Sequence, residues 1–171
     1  MMDYPRKSFI NVIMNKFIQV VDALTILLMT FMTVIVFLEV LSRYFFNFPF
    51  AFSGELTAIL FPWVIFMGAI IVTKNDGHLS ITHFRGLLRS KYQKLLIIIG
   101  KIVMLFFSFY MFLSSIELAN SVSAQKFPVL QISMNWLYLS GVFAFIGMSV
   151  VLIYQLILLV KNSLKETGKG V

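Results

Sequence analysis

The sequence predicts an all-α integral membrane protein of four transmembrane helices, with amphipathic segments at the membrane surface. Three observations lead there. Of the 171 residues, 60% are hydrophobic and only 12% charged, and the mean hydropathy is +0.93. A soluble domain of this size does not carry that balance. The apolar runs are continuous rather than alternating, which selects helices over a closed barrel, the other structure that satisfies the backbone in lipid. The basic residues cluster beside alternate ends of the runs, as the positive-inside rule requires of an even number of spans. The net charge of +7 is therefore read as membrane topology and not as a nucleic-acid footprint. The lack of cysteine excludes a disulfide, a thiolate metal site and a cysteine nucleophile.

Residues 1–16 carry Arg6, Lys7 and Lys16. Phe9, Ile10, Ile13, Met14 and Phe17 fall at helical spacing, so this segment is expected on the cytoplasmic membrane surface. No cleavable signal peptide is expected, because the first apolar run is too long and no small-residue cleavage site follows it. The first span is placed over residues 17–45 and reaches about 43 Å at ~1.5 Å per residue. That exceeds the ~30 Å hydrocarbon core, so the helix must tilt or protrude. Asp22 falls near its start, at the interface.

A break follows at Asn47-Phe48-Pro49-Phe50-Ala51-Phe52-Ser53, with Ser53 as an expected N-cap. The second span is placed over residues 54–73, kinked or relieved of one hydrogen bond at Pro62. A polar turn, Lys74-Asn75-Asp76-Gly77-His78, leads to an interfacial helix over residues 80–94. Ile81, Phe84, Leu87, Leu88 and Tyr92 line one face of it, and Arg85, Arg89, Lys91 and Lys94 lie elsewhere, so it suits a lipid interface. The third span, residues 95–118, carries Lys101 early enough to snorkel back to the basic side. After a loop with Lys126 and Pro128, the fourth span covers residues 134–160. Trp136 and Tyr138 mark one interface and Tyr154 the other. Residues 161–171 form a tail with Lys161, Lys165 and Lys169. Both termini and the middle connection are thus expected in the cytoplasm, since the opposite side holds only Arg43 and Lys126.

The densest ionisable set in apolar sequence is Glu39, Arg43 and Glu55. Intramembrane charges raise the possibility of a transport site. Their position near the outer interface favours a structural ion pair or a partner contact instead. The turn is expected to bring Glu55 to Arg43. The rival is Glu39 with Arg43, four residues apart on one helix face with the acid N-terminal. His78 and His83 beside Asp76 lack the spacing and the third ligand of a metal site, so a cap or headgroup contact is expected of them. No nucleophile–base set and no phosphate-binding glycine loop is present, so neither an enzyme nor a cofactor is expected. Trp63 reads as a lipid-facing or packing residue, and Gly68 as a point of close helix contact. A small multidrug exporter, a proton-coupled homodimer, is the alternative of this size. Its membrane glutamate would have to be Glu39, which the neighbouring Arg43 argues against.

Arg43-Tyr44 closing the first span, Ser53-Gly54-Glu55-Leu56 opening the second, and then Trp63 and Gly68 form a recognisable order. His78-Leu79-Ser80-Ile81 follows, then Pro128-Val129-Leu130-Gln131-Ile132 with Trp136 and Tyr138. In that order and spacing the chain resembles, over nearly its whole length, the small DctQ-like membrane subunit of tripartite ATP-independent periplasmic (TRAP) transporters. Ser133 departs from the pattern, where proline is expected before the last helix. The resemblance implies a scaffold subunit in the bacterial inner membrane. It implies three kinds of partner: a large multispan subunit that moves solute with sodium, a periplasmic substrate-binding protein, and membrane lipids. The implied solute is an organic acid, a sialic acid or a C4-dicarboxylate, with sialic acid preferred.

Overall fold

In a computed structural model, residues 9–48, 50–75 and 90–167 are described. They form α1 (Phe9–Phe46), α2 (Ser53–Lys74), α3 (Ser90–Ser121) and α4 (Asn135–Thr167). All four contain a stretch long and apolar enough to cross a membrane. The first helix is one continuous rod of 38 residues. Residues 9–16, expected as part of a separate surface segment, are its opening turns, because nothing in the sequence breaks the helix before Phe17. The side chains of the proposed lipid-interface residues His78, Arg85, Arg89, Lys91 and Lys94 lie outside the described part. So does most of the proposed interfacial helix, whose last residues from Ser90 open α3.

The central helix is α4, which packs on both α2 and α3, while α1 packs chiefly on α2. Small residues on α4 set the spacing. A methyl group at Gly147 would meet Ile70 Cδ1 at 2.7 Å, and one at Gly141 would meet Ser115 Oγ at 3.0 Å. Where lipid is as apolar as the side chains, such close approach supplies much of helix association. The expectation for Gly68 is corrected here. A methyl group there meets nothing within 4 Å, because Gly68 faces away from the helices that flank α2. The core joins Met14, Ile18 and Val21 of α1, Ile70 of α2, and Ala144, Val151 and Tyr154 of α4.

Along α1, the less exposed positions recur in steps of four and three: Met14, Ile18, Val21, Thr25, Leu28, Met32, Ile35, Glu39 and Ser42. This repeat keeps one narrow seam against a single neighbour. Apart from Asn11 and Leu41, the other side chains described on the helix are exposed. α1 ends at Phe46, after which Asn47 takes a left-handed conformation with φ 51°, one that asparagine tolerates well. The Ser42 hydroxyl donates to the Phe48 carbonyl at 2.6 Å and holds the turn.

Candidate assembly site at the two ends of the bundle

At the end where α1 finishes and α2 starts, Arg43 pairs with Glu39 on its own helix. The expected Arg43–Glu55 pair is not formed. The side chains of Arg43 and Glu39 are 59% and 17% exposed, and the spacing makes this a local helix contact. The Ser53 hydroxyl also lies against Glu39. Ser53 is not the N-cap. Phe52 holds that position, and the buried Ser53 hydroxyl donates back to the Phe50 carbonyl at 2.8 Å.

Glu55 sits in the first turn of α2, where a carboxylate suits the helix dipole. Its partners come from the α3–α4 loop. The Val129 amide donates to both carboxylate oxygens, at 2.9 and 3.1 Å, and the Leu130 amide donates to Oε2 at 2.8 Å. Two successive amides converging on one carboxylate satisfy groups that the loop itself leaves free. This explains why Glu55 turns away from Arg43.

The loop is ordered for the task. An isolated bridge joins Lys126 to Ser133. The Phe127 amide donates to the Ile132 carbonyl at 2.9 Å, and the Gln131 amide to the Phe127 carbonyl at 3.0 Å. Gln131 has φ 55°, and Phe127 is buried beneath the loop. Ser133 donates through its hydroxyl to the Ser123 carbonyl at 2.8 Å and accepts the Asn135 amide at 3.3 Å. The departure from proline thus provides a side-chain cap where α4 starts. Trp63 also ties α2 to this region. Its Nε1 donates to the Trp136 carbonyl at 3.1 Å, and its ring lies 5.6 Å from that of Phe143. Tyr44 is 80% exposed and Lys126 is exposed as well.

The opposite end carries a polar node across all four helices. Tyr154 donates to Asn11 at 2.7 Å, and Lys74 to Asn15 at 3.1 Å. Lys101 is not at the lipid surface as expected. It is 2% exposed and donates to Gln155 Oε1. Gln155 Nε2 in turn donates to the carbonyls of Thr73 and Lys74, at 3.1 and 2.9 Å. These belong to the orphan carbonyls at the end of α2. A lysine that faces α4 finds an acceptor closer than the headgroups, so it does not snorkel. This node also puts the start of α1 and the end of α4 at the same end of the molecule. The sequence reading missed Gln155, although a lone amide in the apolar run of residues 136–160 is a usable signal. It also missed the loop as partner of Glu55, for which no local signal exists across 74 residues. Among the described residues, every buried side-chain nitrogen or oxygen has a hydrogen-bond partner.

These features have a counterpart in known sequences. Residues 32–162 match the model of the DctQ component of tripartite ATP-independent periplasmic transporters. The chain belongs to this family. Two proteins of Haemophilus influenzae (strain Rd), each provisionally named a TRAP transporter small permease protein, are similar to it. One is 29% identical over 136 residues, covering 80% of this chain and 82% of that protein. The other is 28% identical over 137 residues, covering 80% and 84%. The chain is thus the small permease component of a bacterial TRAP system, a multi-pass membrane protein and a non-enzymatic part of a transporter. The exporter alternative falls with that membership.

Proposed function

We propose that this DctQ protein is a scaffold subunit. It braces the large multispan subunit, which carries an organic acid together with sodium, and it helps dock the periplasmic substrate-binding protein. A sialic acid is the preferred solute and a C4-dicarboxylate the second choice. Both termini and the α2–α3 connection face the cytoplasm of a cell with the protein in its inner membrane, as the basic residues favour.

One observation carries the scaffold reading. Glu39, Arg43 and Glu55, the charges best placed for transport, are all engaged in holding this chain's own elements together. A carrier needs groups that can exchange partners with its cargo near the midplane, and these sit at an end of the bundle. Glu55 fixes the outer loop through three hydrogen bonds, so the chain presents that surface in one preformed shape. A fixed docking face avoids the ordering cost of binding.

Reconstitution tests this. Vesicles holding the chain alone, given an inward sodium gradient and labelled sialic acid or succinate, are expected to take up nothing. Vesicles that also hold the large subunit and the periplasmic protein are expected to take up one of the two. Sodium-dependent uptake by the pure chain would overturn the scaffold reading.

A further inference from the structure

The two exposed flanks of α1 differ in chemistry. Beside the seam against α2 runs a wedge that begins Ile13, Phe17, Val20, Leu24 and continues in the same steps of four and three to Phe45, apolar at every position. The other flank is mixed. Gln19, Asp22, Ala23, Thr30 and Thr33 lie on it, all exposed. In a membrane, lipid covers an uninterrupted apolar wedge without cost, whereas small and polar residues are where helices meet.

Thr30 and Thr33 satisfy their hydroxyls within the helix, on the Ile26 and Met29 carbonyls at 2.8 Å. Asp22 has no such partner, and makes no ion pair or hydrogen bond among the described residues. Asn15 accepts from Lys74, the last residue of α2, and Asp22 lies seven residues, about 10 Å, further along α1. With 22 residues, α2 spans about 33 Å, close to the ~30 Å hydrocarbon core. Asp22, expected from the sequence at the interface, therefore sits about one turn inside the hydrocarbon edge. Its short side chain cannot reach out as a lysine does. A carboxylate held at that depth calls for a cation.

We infer that the flank of α1 carrying Gln19, Asp22 and Thr33 is the surface on which a helix of the large transport subunit packs, with a basic side chain of that helix on Asp22. The inference rests on the scaffold reading and adds the face and the charge of the contact. Charge complementarity selects this occupant over lipid, since an acyl chain offers Asp22 nothing. A second copy of the chain would bring the same carboxylate to its own.

The test places a photo-crosslinking amino acid at Gln19, Ile26 or Thr33 on the mixed flank, and at Val20, Leu27 or Val34 on the apolar wedge. Each variant is expressed with its full transporter and irradiated in native membranes. The mixed-flank positions are expected to cross-link to one large membrane protein, and the wedge positions to give only lipid adducts. In the purified complex, Asp22→Asn is expected to weaken retention of the large subunit about tenfold, as for loss of one charge-assisted contact. Cross-links from the wedge alone, or a self-cross-linked dimer from the mixed flank, would overturn the inference while leaving the scaffold reading standing. So would an intact complex that cross-links from neither flank. If no large membrane protein co-purifies with the unmodified chain, the scaffold reading falls and takes the inference with it.

Discussion

Replacing Glu55 by alanine removes the side chain that joins the first turn of α2 to the Val129 and Leu130 amides. Three hydrogen bonds disappear. Bonds to a charged acceptor contribute about 1.5–3 kcal/mol each where water is excluded. Here Glu55 is half-buried and the Val129 site is exposed, so water replaces part of what is lost. The two contacts from Val129 also share one donor. A net cost of about 2 kcal/mol for opening the loop is the reasonable figure. Glu55→Gln keeps one oxygen acceptor and is expected to cost about 1 kcal/mol. Lys126 supplies the assay, since trypsin cuts after it only when the bridge to Ser133 opens. If opening and reclosing are fast relative to cleavage, the rate follows the open population. Glu55→Ala should then raise cleavage at Lys126 roughly thirtyfold, and Glu55→Gln roughly fivefold. Helix content by circular dichroism should not change. A cleavage rate equal to wild type in both variants would refute the latch, as would an equal rise caused by Arg43→Ala.

The other predictions follow from the same geometry. Arg43→Ala and Glu39→Ala should be less than additive in thermal stability by under ~1 kcal/mol, as for a half-exposed pair, whereas Arg43→Ala and Glu55→Ala should simply add. Gln155→Leu removes the acceptor that Lys101 faces and the donor to the end of α2, and should destabilise by about 1–3 kcal/mol; Lys101→Met made on top of it should cost less than in the wild type, and full additivity would deny the node. Gly147→Ala should lower the melting temperature by an amount worth about 1–3 kcal/mol, and Ile70→Val should relieve it by removing the atom in the way, while Gly68→Ala should be close to neutral because that site is open. For topology, single cysteines at Ala124 and Lys169 in this cysteine-free chain should react with an impermeant reagent in intact cells at Ala124 only; the reverse pattern would invert the orientation.

Hydropathy alone decides that the chain forms four membrane helices, because the bilayer leaves the backbone no other way to satisfy itself. Membership of the DctQ family was likewise legible in linear order: Arg43-Tyr44, Ser53-Gly54-Glu55, then the loop from Pro128 to Trp136. The local pair of Glu39 and Arg43 needed nothing beyond helical spacing. What the tertiary structure decided is where the polar groups of different helices meet. Glu55 could face Arg43 across a short turn or the loop 74 residues away, and only the packing of α2 on α4 brings those two amides within reach. Lys101 could snorkel or turn inward, and the choice depended on Gln155 lying opposite. Close approach at Gly147 instead of Gly68 depended on which face of each helix met a neighbour. In an apolar chain the outward faces are as hydrophobic as the buried ones, so amphipathic periodicity, the usual guide to the core, is weak. Contacts between helices are then settled by a few polar and small residues, whose partners are set by the fold and not by their place in the chain.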